Sequence, residues 1–301
     1  LNSSNLADLS QKDKPWDKHR ANADKVESYF VGGTFQNYAN RVHDCSQLLD
    51  FVLAAATGES LELKLSSARF CRVRSCPVCQ WRRSLMWKAK AHQVLPRVVE
   101  KYPTYRWIFL TLTVRNCSIN DLRSTLTQMH KAFERMTKLK IFPAVGWIKA
   151  TEVTRSDDNS AHPHFHCLVM VPSGYFARGY LKQADWVQLW RRSLRVDYDP
   201  IVDVRAIKKD NSPITLIPEL LKYCTKESDL VADKEWFLEL TRQMHKARTI
   251  AVGGVLKDYL KELEQEPEDL IGKDEETQVD NNAQHLIFEW KSKVKKYKLV
   301  D

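Results

Sequence analysis

Ile108-Phe-Leu-Thr-Leu-Thr-Val114 carries apolar residues or threonine on both of its alternating faces, the pattern of a strand that is central in a sheet and covered by helices on at least one side. Working outward, Tyr105 to Val114 reads as that strand and Ile119 to Lys140 as a helix. Val145 to Thr154 and His164 to Val171 read as two further strands. Between them, Arg155-Ser-Asp-Asp-Asn-Ser160 is rich in turn formers, so the two strands should close an antiparallel hairpin. The predicted class is α+β: an antiparallel central sheet flanked by helices, a small separate module ahead of it, and a mostly helical C-terminal part.

Residues 1–40 are polar with little periodicity and read as an arm, although Tyr29, Phe30, Phe35 and Tyr38 could dock onto a core. Residues 44–56 read as a short helix, Leu61 to Leu65 alternates as a strand, and residues 80–101 read as a helix. Downstream, Tyr180 to Leu194 reads as a helix, Ile201 to Ile207 as a strand, and Pro218 to Ser228 as a helix with proline in its first turn. Eight acidic residues between Glu262 and Glu276 read as a solvated linker before a basic end containing Lys291, Lys293, Lys295, Lys296 and Lys298. The expected divisions are an arm (1–40), a cysteine-bearing, basic helical module (41–103), a core domain (104–230) and a helical C-terminal region with an acidic linker and a basic end (231–301). No stretch approaches the roughly 20 apolar residues of a membrane span. The start, Leu1-Asn-Ser-Ser, lacks the features of a signal peptide, so a cytoplasmic location without a membrane partner is expected. A homo-oligomer stays open.

A formal charge of +9 suits a polyanionic partner. Its distribution is more specific, because Arg69, Arg72, Arg74, Arg82, Arg83, Lys88 and Lys90 share a stretch that holds no acidic residue. The same stretch contains Cys76-Pro-Val-Cys79, whose spacing lets two thiolates take adjacent corners of a zinc tetrahedron. With Cys71 and Cys45 the set predicts a structural four-thiolate Zn²⁺ site, His43 being the substitute should Cys45 point away. Such a site would pin the basic helix and present Arg72, Arg74, Arg82, Arg83, Lys88 and Lys90 to DNA phosphates. The plainer reading is a reduced C-x-x-C in a core; Cys117, Cys167 and Cys224 read as ordinary buried residues.

In His162-Pro-His-Phe-His166, strand alternation puts His164 and His166 on one face and Phe165 on the other. Across the expected hairpin, Glu152 shares a face with Ile148 and Ala150, where an unpaired carboxylate would be costly. Two imidazoles and a carboxylate suit Mn²⁺ or Mg²⁺ with open positions for substrate. His162 is an outer candidate. Farther on, Glu219, Tyr223 and Lys226 are spaced to share one helix face. There a nearby cation could favour attack by the phenol, and the carboxylate could take a proton from water or a 3′-hydroxyl. A surface Glu and Lys beside a core tyrosine is the bland alternative.

Phe109-Leu-Thr-Leu-Thr113, His162-Pro-His-Phe-His166 and Glu219-Leu-Leu-Lys-Tyr-Cys-Thr-Lys226, in that order, resemble the three motifs of rolling-circle plasmid replication initiators of the HUH endonuclease superfamily. Phe70-Cys-Arg-Val-Arg-Ser-Cys-Pro-Val-Cys-Gln-Trp-Arg-Arg83 resembles the cysteine-rich segment of a subgroup with a single catalytic tyrosine and a glutamate four residues before it. The resemblance spans about residues 40 to 230 and implies an HUH-endonuclease-like fold. It implies that His164 and His166 bind the catalytic metal and that Tyr223 nicks single-stranded or hairpin origin DNA, giving a 5′-phosphotyrosine and a free 3′-hydroxyl. It further implies that Glu219 assists hydrolytic termination, that Lys226 is the lysine three residues after the tyrosine, and that host helicase and DNA polymerase act as partners. Three rivals stay open: a conjugative relaxase or single-strand transposase with the same chemistry, a non-catalytic zinc-dependent DNA-binding regulator, and a phosphohydrolase without a covalent intermediate.

Overall fold

The structure, a computed structural model, describes residues 4–55, 61–208, 212–221, 225–260, 270–271 and 284–300. Along the chain run α1 (Leu6–Leu9), α2 (Pro15–Phe30), α3 (Gln36–His43), β1 (Leu48–Ala55), β2 (Leu61–Ala68), α4 (Pro77–Lys101), β3 (Arg106–Thr113), α5 (Leu122–Thr137), β4 (Gly146–Arg155) and β5 (Ala161–Val171). There follow α6 (Tyr175–Arg178), α7 (Gln183–Leu194), β6 (Val202–Ala206), α8 (Ile217–Leu220), α9 (Glu227–Ala232), α10 (Lys234–Gln243), β7 (Ile250–Gly254), α11 (Lys257–Leu260), β8 (His285–Lys291) and β9 (Lys296–Leu299). The chain forms two compact units, one of Leu1–Met86, Leu230–Lys234 and Glu268–Asp301, the other of Trp87–Asp229 and Glu235–Pro267. The α+β class with antiparallel sheets and flanking helices holds in both.

In the second unit the sheet order is β6-β3-β5-β4-β7. β3 pairs with β5 on one side and β6 on the other, the interior place that its two apolar faces require. β4 and β5 form the expected hairpin, and Asn159 in its turn adopts φ 65°, a left-handed conformation that asparagine tolerates. One sheet face, with Phe109, Ile148, Ala150 and Leu168, packs against Ala91, Leu95 and Val98 of α4 and Ile217 and Leu220 of α8. On the other face, Phe133 of α5 sets its ring edgewise against Trp147 and Phe165.

That second face also buries a lysine. Lys149 is 4% exposed; its Nζ donates to His130 Nδ1 at 2.7 Å and lies 4.1 Å from the Phe165 ring centre. Burial pulls the Lys149 ammonium down to about 8, and burial followed by the lysine's charge pulls His130 down to about 4. A lysine whose folded value is depressed weakens the fold wherever it is charged. Lys149→Met is therefore expected to raise stability at pH 7 by roughly 1–3 kcal/mol. Wild-type stability should climb from pH of about 8 toward the ordinary lysine value of 10.5, because the unfolded chain binds more protons in that window. The climb should vanish in Lys149→Met. Urea unfolding on either side of that window checks both statements, and equal pH slopes in the two proteins would discard them.

The first unit corrects three expectations. The polar arm is instead α2 and α3: Trp16, Arg20, Ala23, Val26 and Phe30 of α2 are all buried. Their helical stripe is broken in the sequence by Asp17, His19 and Arg20, polar residues that are nonetheless buried. Arg20 donates to the carbonyls of Val42 and His43 at 2.9 and 3.1 Å and pairs with Asp24 at 2.8 Å, so both terminal nitrogens are engaged while Nε has no hydrogen-bond partner among the described residues. The helix expected over residues 44–56 is strand β1. Its run Leu48-Leu-Asp-Phe-Val-Leu-Ala-Ala55 fits either element, and pairing with β2 and β8 on its two sides decides for the strand. The C-terminal region is not mostly helical among the described residues, since β7 extends the second unit's sheet while β8 and β9 complete the order β2-β1-β8-β9. The acidic linker lies outside the described residues except for Leu270 and Ile271.

Candidate functional site

The hairpin register sets Glu152 opposite His164 and Ala150 opposite His166. All three polar side chains are buried, Glu152 being 3% exposed. Glu152 Oε2 lies 3.2 Å from His164 Nε2 and 3.0 Å from His166 Nε2. His164 Nδ1 donates to the His162 carbonyl at 3.2 Å, so in a neutral ring Nε2 is a bare lone pair facing a carboxylate oxygen. Two lone pairs that close repel; a proton or a metal cation has to lie between them. Donors at right angles on an ion ~2.1 Å away sit ~3.0 Å apart, which matches the observed spacing, so the trio can hold a divalent cation. Thr111, paired opposite His166 on β3, meets its Nδ1 at 3.2 Å and steadies the ring from behind. His162 stays outside the trio, its Nδ1 2.6 Å from Asn116 Oδ1. The Asn116 amide nitrogen donates to Ser156 and Ser160, which turns its oxygen toward the imidazole. Burial, then the neighbouring His164, lowers the His162 value below the ordinary one.

Replacing a ligand should cost more than the roughly 10–100-fold that supporting residues cost. Glu152→Gln is accordingly expected to weaken Mn²⁺ binding by at least about 100-fold, and Thr111→Ala by about tenfold. Titration calorimetry measures both, and unchanged binding in Glu152→Gln would remove it from the site.

Glu219 lies on α8, which packs against β5. The single helix expected over residues 218–228 is interrupted: α8 ends at Leu220, Leu221 leaves the helical region at φ −105° and ψ 32°, and α9 begins at Glu227. Leu220 and Leu221 are both buried in the apolar cluster that includes Phe109 and Ala150, so core docking competes with helix continuation here. Tyr223, with Lys222 and Cys224, lies outside the described residues. Lys226 is exposed, ahead of α9, and the shared helix face does not extend to it. Arg205 of β6 belongs to no motif, yet it donates to Glu219 Oε1 at 2.6 Å. The alternation Val202-Asp-Val-Arg-Ala206 held the signal, because it puts Asp203 and Arg205 on one strand face.

In the first unit, Cys45, Cys71, Cys76 and Cys79 are buried with their sulfur atoms gathered into one cluster. Cys79 Sγ lies 3.7 Å from Cys45 Sγ and 3.5 Å from Cys71 Sγ, and Cys76 Sγ is 3.9 Å from Cys45 Sγ. Tetrahedral sulfurs ~2.3 Å from an ion are ~3.8 Å apart, so the set can hold a metal. Backbone amides of Cys71, Arg72 and Val73 point at these sulfurs, as suits thiolates. Hydrogen bonds from the other three cysteines hold the Cys79 thiol well below its ordinary value, while burial pushes Cys76 well above it. His43 is outside the cluster, paired with Glu27.

The basic residues divide. Arg82 and Arg83, expected on a DNA-facing surface, are buried instead. Arg82 donates to the Leu270 and Ile271 carbonyls at 2.7 Å each and stacks over Trp16, while Arg83 donates to the Arg72 carbonyl at 2.9 Å. A guanidinium is weakly hydrated and presents five donors in a rigid planar fork, so it can be buried against carbonyls and a ring, and basic character alone does not reveal its inward direction. Arg72 is exposed, and Arg74, Lys88 and Lys90 are partly exposed; burial lowers the values of Lys88 and Lys90.

Among the described residues, no helix is long and apolar enough to cross a membrane. Residues 62–298 match the family described as "Replication protein". The chain is 32% identical over 305 residues to "Protein rep" of Lentilactobacillus hilgardii, covering 95% of each chain. It is 33% identical over 288 residues to "Protein rep" of Bacillus amyloliquefaciens, covering 86% of this chain and 84% of the relative. "Protein rep" of Streptococcus pneumoniae serotype 2 is 32% identical over 262 residues, covering 84% of this chain and 81% of the relative. No solved structure matches the chain.

Proposed function

This chain belongs to the replication-protein family, and from that premise we propose that it initiates rolling-circle plasmid replication by nicking one strand of origin DNA through Tyr223. The observation that carries the reading is the buried Glu152, His164 and His166 trio on the sheet face against which α8 and Leu221 pack. Glu152, His164 and His166 would hold Mn²⁺ or Mg²⁺. When bound, the cation would orient and polarise the scissile phosphate. The Tyr223 hydroxyl gives up its proton to solvent as its oxygen attacks phosphorus in line; the bond to the 3′-oxygen breaks and that oxygen takes a proton from solvent. The products are a 5′-phosphotyrosine and a free 3′-hydroxyl for a host polymerase to extend, with a host helicase unwinding the duplex. Lys226 offsets charge on the phosphate. In termination, Glu219 takes a proton from the attacking water.

The nicking region is residues 104–230, served by a Zn²⁺ ion on Cys45, Cys71, Cys76 and Cys79 that organises the cysteine-bearing module. Arg72, Arg74, Lys88 and Lys90 are the basic residues left to meet DNA phosphates. The cytoplasm, where plasmid DNA is copied, is the proposed place of action.

Incubating the protein with end-labelled single-stranded origin DNA and Mn²⁺ tests the reading. A strand that stays attached to protein through denaturing electrophoresis, and fails to form with chelator, is expected. Cleavage without attachment would point to a hydrolase. Binding with neither would leave a zinc-dependent DNA-binding regulator.

A further inference from the structure

β6 pairs with β3 so that Arg205 stands opposite Phe109 and Asp203 opposite Thr111. Thr111 is in turn opposite His166, which puts Asp203 and Arg205 on the sheet face that carries the trio. The Arg205 guanidinium is fastened from three directions. Its face lies 4.8 Å from the centre of the Phe109 ring, Nε meets Asp203 Oδ2 at 3.1 Å, and Nη2 meets Glu219 Oε1 at 2.6 Å. The Phe109 ring is itself 5.6 Å from the His166 ring, so the arginine rests on a residue that also borders the metal trio.

Glu219 needs such a fixture. It is a long, partly exposed side chain on a helix of four residues, and the burial of Ile217 and Leu220 that docks this helix in the core does not fix the Glu219 rotamer. We propose that Arg205 is the positioning residue for Glu219, engaging Oε1 so that Oε2 is presented to the hydrolytic water. This inference rests on the nicking reading above. In the step it serves, the water oxygen bonds to phosphorus and one of its protons passes to the Glu219 carboxylate. The phosphorus bond to the leaving oxygen breaks, and that oxygen takes its proton from solvent. An arginine suits the task because its planar fork can grip two carboxylates while stacking on a ring, which lysine cannot do. As an ion pair at 48% and 37% side-chain exposure, it adds little to folding, so its effect should be on the reaction and not on the fold.

The readout is the ratio of free 5′-phosphate strand to protein-linked strand from one cleavage reaction on origin DNA with Mn²⁺. Taking a ratio cancels a general loss of binding or of folded protein. Arg205→Ala is expected to lower the ratio by about tenfold, part of the ~10²–10⁴ that a positioned base supplies. Glu219→Ala should lower it at least as far, and the double variant no farther than Glu219→Ala, since the two act as one unit. Arg205→Lys should recover only part. An unchanged ratio in Arg205→Ala, or losses that multiply in the double variant, overturns the assignment. Protein-linked product whose ratio does not respond to Glu219→Ala removes Glu219 from hydrolysis and Arg205 with it. If the wild type links no DNA at all, it is the nicking reading that falls.

Discussion

Tyr223→Phe is expected to bind single-stranded origin DNA as tightly as the wild type and to link none of it, with cleavage reduced by at least about 10⁴-fold. The substitution removes one oxygen and leaves the ring, so it takes away the proposed nucleophile and little else. Few other groups could take over. Serine or threonine hydroxyls near the trio, such as Thr111 and Thr113, belong to β3, where Thr113 donates to the Ile201 carbonyl at 2.9 Å and Thr111 meets His166 at 3.2 Å. The magnitude follows from the general behaviour of nucleophile removal, which costs nearly all the catalysis that the assembled site provides. Fluorescence anisotropy for binding and denaturing electrophoresis for linkage separate the two effects. An adduct that persists in Tyr223→Phe would assign the nucleophile to another residue. Protein-free cleavage that persists would make the enzyme a hydrolase whose metal site works without a covalent intermediate.

What was readable in the residues follows from how local the information is. β3, α5, β4 and β5 declare themselves by alternation, helical stripe and turn residues within a few positions, and the hairpin register then puts Glu152 beside His164 without further help. α2 failed to declare itself because Asp17, His19 and Arg20 interrupt the apolar stripe, and nothing nearby says that Arg20 will find the Val42 and His43 carbonyls. β1 reads equally well as a helix because its run is largely apolar on both faces, and its partner β8 arrives from the far end of the chain. Arg205 belongs to the same class. It matters through the pairing of Phe109 with Arg205 and through the docking of α8, and both are long-range facts. The residues proposed as ligands or nucleophile carry a spacing in the sequence; the residue proposed to hold one of them is visible only in the fold.

Cys76→Ser is expected to remove Zn²⁺ from the protein and with it the cooperative unfolding of the first unit. Cys76 is fully buried, so a serine there leaves a poor ligand and a hydroxyl where burial offers it little water. A structural zinc site contributes on the order of 10–16 kcal/mol in small domains, as much as or more than the ~5–15 kcal/mol that holds a typical domain together. Loss of a ligand should therefore exceed what the surrounding core can absorb. The cluster joins three separate pieces of chain: Cys45 follows α3, Cys71 follows β2, and Cys76 and Cys79 stand at the start of α4. Without the ion these pieces lose their common anchor, and so does the Arg83 contact to the Arg72 carbonyl. Binding requires thiolates, so the stabilisation should be present at neutral pH and fade as acid protonates the sulfurs. Elemental analysis should find zinc in the wild type and in Glu152→Gln but not in Cys76→Ser. Circular dichroism melts with and without a strong chelator then read its energetic weight. A first unit that melts at the same temperature after complete zinc removal would reduce the four cysteines to ordinary core residues. It would also leave Glu152, His164 and His166 as the remaining candidate metal site among the described residues.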